Sequence, residues 1–150
     1  MAQALDVAQK AFDSQEVPVG ALIVAPDGVV LAEGWNQPIL SHDPTAHAEI
    51  QAIRVAGQVI SNYRLVDCTL YVTLEPCTMC VGAIVHARLK RIVFGALESK
   101  AGAIVSANNL AEARYFNHPL EWTGGVMAKC CGDLISAFFK KRRTEKKGLI

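Results

Sequence analysis

Four side chains in two short blocks could act together chemically. His47 and Glu49 stand two residues apart in His47-Ala48-Glu49, and Cys77 and Cys80 lie in Pro76-Cys77-Thr78-Met79-Cys80. Two cysteines at i, i+3 on a helix share one face, so both thiolates can reach one metal ion. Pro76 suits the first turn of such a helix, where its missing N–H costs nothing. The positive end of the helix dipole then favours thiolate over thiol. His47 opens a second expected helix, with Thr45 placed to cap it. One His and two Cys make three protein ligands, and a catalytic zinc site keeps its fourth position for water. Glu49 is too near to be idle and poorly placed to share the ion, which leaves it for proton transfer.

Two blander readings stand beside this one. A C-x-x-C pair alone also serves redox chemistry. A structural zinc site would need a fourth ligand from His42, Cys68, His86 or His118, and none of these has finger or ribbon spacing to the others.

The elements that must position these residues follow from the rest of the chain. A length of 150 residues suits one domain, 1–150, and 51% hydrophobic residues argue against disorder. No apolar run approaches the roughly 18 residues of a membrane helix, and no basic-then-apolar leader is visible. Five cysteines, two of them in the metal pattern, fit a reducing cytoplasm better than a disulfide framework. The net charge of +1 is unevenly spread. Residues 140–147 hold six basic groups and one acid, which leaves nine basic and 13 acidic residues for the body. Such a basic C-terminal tail, about 140–150, is either a phosphate-contacting element or a solvated end.

Residues 2–14 carry Ala4, Leu5, Ala8, Ala11 and Phe12 at helical spacing and predict an amphipathic first helix. Residues 17–24 read as a buried strand. Pro26-Asp27-Gly28 supplies a turn, and Val29–Ala32 returns as its hairpin partner. A polar loop through Pro38, His42 and Asp43 leads to a helix over 46–58. Asn36, at the end of the hairpin, could satisfy loop backbone or hydrogen-bond a flat heterocycle. Cys68–Leu74 is a β-branched strand aimed into Pro76, a helix follows to about Arg88, and Ile92–Gly95 is a fourth strand. Two strand–helix–strand passages in succession predict parallel neighbours, with ligands gathering at the strands' carboxyl ends. Residues 95–109 read as a lid-like loop, 110–116 as one or two helical turns, and 120–122 as a short strand. A last helix begins after Gly124-Gly125 and ends at Phe138-Phe139 before the basic tail.

The pattern H-x-E…P-C-x-x-C is the signature of the zinc deaminases that act on nucleobases, a class that includes the deaminases from which adenine base editors derive. Beyond it, Glu16–Gly20, Gly34–Asn36, His42–Glu49, Asn62–Leu65, Leu70–Cys80, Val93–Ala96 and Phe138–Arg143 all resemble the bacterial tRNA-specific adenosine deaminases. The likeness covers nearly the whole chain. It implies a three-layer α/β/α sandwich with a five-stranded mixed sheet, cytidine deaminase-like. It also implies a homodimer that converts adenosine to inosine at the wobble position of an arginine tRNA. By that likeness His47, Cys77 and Cys80 hold one Zn2+ per chain, Glu49 shuttles protons, and Asn36 contacts the flipped purine. Glu98 stands in the lid where the family often has Asp, and Pro119 follows Asn117-His118 where a basic residue is common.

A base inside a stacked duplex cannot present its ring carbon to a buried ion, so the substrate must be a loop or flipped nucleotide. The anticodon loop of tRNA meets that need at the least unstacking cost. Lys140, Arg142 and Arg143 would contact its phosphates without reading sequence. A deaminase of free nucleobases or nucleosides would need no basic tail, and a non-catalytic zinc-bound RNA-binding module would not need Glu49.

Overall fold

The computed structural model describes residues 1–114 and 116–149. Helix α1 (Ala2–Asp13) buries Ala4, Ala8 and Ala11 of the expected stripe together with Val7, while Leu5 and Phe12 are half-buried. Strand β1 (Gly20–Val24) is buried along almost its whole length and turns at Pro26-Asp27-Gly28 into β2 (Val30–Trp35). β2 runs three residues further than Val29–Ala32 suggests. Gly34 lets it do so: a Cβ there would overlap the Ala48 carbonyl and the Ala52 amide of the helix packed on it. Part of the expected polar loop is a single helical turn, α2 (Pro38–Ser41), closed by His42 in the left-handed conformation.

Helix α3 (Ala48–Ile60) leads to β3 (Thr69–Leu74), then α4 (Thr78–His86) and β4 (Arg91–Ala96). Leu110–Glu112 forms one 3-10 turn within the stretch 110–116, of which Tyr115 lies outside the described residues. Strand β5 (Glu121–Thr123) precedes helix α5 (Ala128–Gly148). The basic run is therefore not a tail beyond the last helix but that helix's final turns; Ile150 lies outside the described residues. Lys and Arg are good helix formers, and basic groups in a last turn complement the macrodipole.

The five strands form one mixed sheet in the order β2-β1-β3-β4-β5. β3, β4 and β5 are parallel neighbours. β2 runs in the same direction, but β1 lies between it and β3, antiparallel to both. On one face α3 and α4 press Ala48, Ala52, Ala56, Val81 and Ile84 onto Ala21, Ile23, Leu70, Val72, Ile92 and Phe94. The other face carries α1 and α5, whose Phe12 and Phe138 meet edge-on with ring centroids 5.7 Å apart. Ile84, Leu70, Ile92 and Phe94 are fully buried, each stabilising the sandwich by about 1.5–3 kcal/mol. The chain thus forms the expected three layers. Among the described residues no helix is long and apolar enough to cross a membrane.

Candidate functional site

Both helices of the α3/α4 layer start at a residue of the chemical cluster. His47 is the N-cap of α3 and Cys77 the N-cap of α4, each with extended backbone, so Cys80 sits three residues into its helix. Pro76 consequently lies just outside α4 rather than in its first turn. Thr45 does not cap α3. Its hydroxyl and backbone N–H both donate to the Asp43 carboxylate, at 2.7 and 2.8 Å. Capping of the first open N–H instead falls to Asn36, whose Oδ1 accepts from Ala48 at 2.8 Å. With its oxygen engaged there, Asn36 offers the cavity its NH2 group.

His47 Nδ1 lies 3.6 Å from Cys77 Sγ and 3.6 Å from Cys80 Sγ. Tetrahedral zinc with Zn–N near 2.0–2.1 Å and Zn–S near 2.3 Å separates nitrogen and sulfur ligands by about 3.6 Å. The three donors therefore fit that ion, and they are the one such group of three His, Cys, Asp or Glu donors among the described residues. His42, Cys68, His86 and His118 are not drawn in, which removes the structural four-ligand reading. The Cys77 thiol is pushed down to about 4 by the hydrogen bond from the Cys80 thiol, with His47 acting in the same direction against burial. Cys80 is pushed up by that same contact and by burial. The hydrogen bond with Cys77 raises His47. Two helix N-termini aimed at the cluster add to its preference for thiolate.

Glu49 is 4% exposed in the first turn of α3. Burial pushes its carboxyl up, against the opposing pull of its own backbone N–H and of His47. A carboxyl so raised holds a proton more readily than an ordinary glutamate, which suits it to proton transfer. His47, Cys77, Glu49 and Asn36 open onto a cavity of about 340 Å³ also lined by Leu74, Glu98, Ile135 and Phe139. That volume lies in the range of about 300–1,000 Å³ usual for small-ligand sites. The cavity sits where β3 and β4 end, as open parallel sheets require.

Glu98 reaches the cavity wall, and its carboxylate accepts from the Lys100 N–H at 2.9 Å. Arg142 and Arg143 are set back from this wall. With Lys146 they rim a second cavity of about 410 Å³ that adjoins the first through Val17, Pro38 and Phe139. Lys140 is exposed and lines neither cavity. Two buried carboxylates carry structure that the spacing pattern does not reveal. Glu16, 2% exposed, accepts from the Leu40 N–H at 2.7 Å and so anchors α2 beside Asn36. Glu75, also 2% exposed, faces the cavity from the end of β3. An acidic residue at the end of an otherwise apolar strand is the available signal for the second.

Residues 1–96 match the family described as the cytidine and deoxycytidylate deaminase zinc-binding region. The tRNA-specific adenosine deaminase of Haemophilus influenzae is 53% identical over 147 residues, spanning 98% of this chain and 85% of that protein. The Bacillus subtilis protein of the same name is 41% identical over 147 residues, with 98% and 91% covered. A structure solved in studies of A-to-I editing by tRNA:A34 deaminases at the wobble position superposes with a TM-score of 0.86. It is 39% identical and covers 89% of this chain and 96% of its own.

Proposed function

The chain belongs to the tRNA-specific adenosine deaminases of the cytidine and deoxycytidylate deaminase zinc-binding family, and from that premise we propose that it hydrolyses adenosine to inosine at the wobble position of a tRNA anticodon. The observation that carries this reading is the His47–Cys77–Cys80 cluster with Glu49 buried beside it at the wall of a base-sized cavity. His47, Cys77 and Cys80 would hold zinc, which would supply the Lewis acidity that makes water a nucleophile near neutral pH.

This chain's own residues do the remaining work. Asn36, fixed by the Ala48 N–H, holds the purine edge. Glu49 takes a proton from the attacking water and delivers it to ring N1, which makes C6 electrophilic. Once oxygen has bonded to C6, Glu49 takes the proton of that hydroxyl to the amine, the C6–N bond breaks, C6=O forms, and ammonia leaves. Leu74, Ile135 and Phe139 line the cavity with apolar surface against which a base can pack. Extruding the base costs a few kcal/mol, least from a single-stranded loop, so an anticodon loop is preferred over duplex. Arg142 and Arg143 grip the phosphates beside the target nucleotide.

The assembly that goes with this reading is a homodimer. Val55, Val59 and Ile60 on α3 and the neighbouring Tyr63 and Val66 are exposed apolar side chains that a second copy would cover. Light scattering should give twice the 16.2 kDa chain mass, and an active monomer would overturn the assembly. The activity is tested by sequencing total tRNA for inosine after incubation with the zinc-loaded protein, with free adenosine as a parallel substrate. Inosine at the wobble position of an arginine tRNA, with free adenosine left intact, is the expected result.

A further inference from the structure

Glu75 is a charged side chain with almost no access to water, and the deamination steps give it no role. Both of its oxygens are occupied. Oε1 accepts the backbone N–H groups of Ile104, Val105 and Ser106 at 3.2, 2.8 and 2.9 Å. Oε2 accepts the Glu98 N–H at 3.0 Å and the Ser106 hydroxyl. All five donors belong to the segment 98–106, which follows β4 and carries Glu98 and Ala101 on the wall of the base cavity. Backbone contacts reinforce the tie: the Ala103 N–H donates to the Pro76 carbonyl at 2.8 Å, and Cys77 pairs with Gly102 as an isolated bridge. Gly102 has to be glycine here, because a Cβ would overlap the Glu75 carboxylate.

A carboxylate with its acceptor sites filled by fixed donors is a poor proton carrier, but it is a strong clamp. We propose that Glu75 is a positioning residue, whose carboxylate fastens the 98–106 segment over the base cavity and so sets how tightly the RNA nucleotide is held. Glu75 would touch neither the transferred protons nor the metal; it would act through Glu98 and Ala101. This inference rests on the deaminase reading for its kinetic arm and on geometry alone for its structural arm.

Glu75→Gln tests it, because the amide keeps the size but turns a donor toward N–H groups that need an acceptor. On an anticodon stem-loop, KM should rise roughly tenfold or more. Turnover at saturating RNA should stay within about threefold, and zinc should remain at one per chain. Trypsin should cut the variant after Lys100 faster than it cuts wild type, a readout that needs no substrate. Ser106→Ala removes one donor and should raise KM by a smaller factor. Ser106→Thr keeps the hydroxyl and should restore it. This pair carries the test if Glu75→Gln does not fold. An unchanged KM in folded, zinc-loaded Glu75→Gln would overturn the proposal, as would loss of turnover with KM intact. Equal kinetics for wild type and Ser106→Ala, with equal trypsin sensitivity, would overturn it too. Failure of the deaminase reading is recognised separately, as wild type releasing no inosine while the trypsin arm still reports on the clamp.

Discussion

Glu49 and Glu75 are the same residue type, equally buried, on the wall of one cavity, yet they sit in opposite electrostatic states. Burial pushes Glu49 up, and its own N–H and His47 do not compensate. Burial pushes Glu75 up as well, but the Ser106 hydroxyl and the N–H groups of Val105, Ser106 and Glu98 outweigh it and hold the carboxyl below its ordinary range. Desolvation outweighs the few donors at Glu49, whereas at Glu75 five fixed donors outweigh desolvation. Neighbouring elements supply them unequally: Glu49, in the first turn of α3, draws on its own N–H, while Glu75 meets a loop whose amides converge on it.

The largest effect expected from this contrast falls on chemistry. Glu49→Ala should abolish deamination, a loss of about 10²–10⁴-fold or more for a general acid/base, while elemental analysis still finds one zinc per chain. Cys77→Ser or Cys80→Ser should lose zinc and activity together. Chelation of wild type should do the same and lower the melting temperature, since metal binding to a folded site is folding energy. Zinc lost from folded Glu49→Ala would place that carboxylate among the ligands and erase the contrast.

A second difference between the two carboxylates is how each is held. Glu49 and His47 depend on where α3 lies, and α3 lies close to β2 only because residue 34 is glycine. Gly34→Ala forces the helix outward. Overpacking of this kind costs about 1–3 kcal/mol and should appear as a drop in melting temperature. Zinc affinity should fall with it, because His47 caps the displaced helix. The Glu75 clamp, built from β3 and the 98–106 segment, should keep its resistance to trypsin at Lys100. Equal damage to both would mean that the two sides of the cavity are not independent.

The same division decides what is legible in the sequence. His47, Glu49, Cys77 and Cys80 stand out because each pair is set by local spacing, two residues apart on one side and three on the other. The apolar stripes of α1 and α3 stand out for the same reason. Glu75 does not, since its partners lie 23–31 residues downstream and only the completed sheet brings them together. Thr45 is the nearer candidate to cap α3, but Asn36 approaches from 12 residues away and takes its place. The length of β2 is hidden because Gly34 looks like a strand breaker until α3 packs on it. The basic run reads as a tail because it lacks apolar residues. Phe138 buried on α1 and an Arg142–Glu145 pair at 3.8 Å carry the helix through it.

A smaller effect concerns charges outside the cavity. Lys140, Lys141, Arg142 and Arg143 replaced by Gln should weaken RNA binding for all sequences and leave single-turnover deamination at saturating RNA nearly unchanged. The salt slope of binding should shrink by about 0.7–0.9 for each phosphate that the variant no longer neutralises. Most of that decrease should come from Arg142 and Arg143, which rim the adjoining cavity, and little from exposed Lys140. An unchanged slope in the folded variant would return the run to a solvated helix end.

The smallest effect sharpens the donor rule itself. Asp43 repeats the arrangement of Glu75 in miniature and in water's reach. The Thr45 hydroxyl lowers its pKa most, followed by the Thr45 N–H, with Arg54 at 3.4 Å adding to them. A group depressed in the folded state adds stability that is present above its unfolded value of about 3.9. That contribution disappears as pH falls through the folded value. Thr45→Val removes the hydroxyl and keeps the backbone N–H, so the Asp43 midpoint followed by NMR should rise toward the ordinary range. Thr45→Ser keeps the hydroxyl and should leave the midpoint low. Stability of wild type and Thr45→Val should differ most near neutral pH, and the part owed to Asp43 should vanish in acid. A midpoint that ignores Thr45→Val would show that hydroxyl donors do not set these carboxylates, and the explanation of Glu75 would have to rest on backbone amides alone.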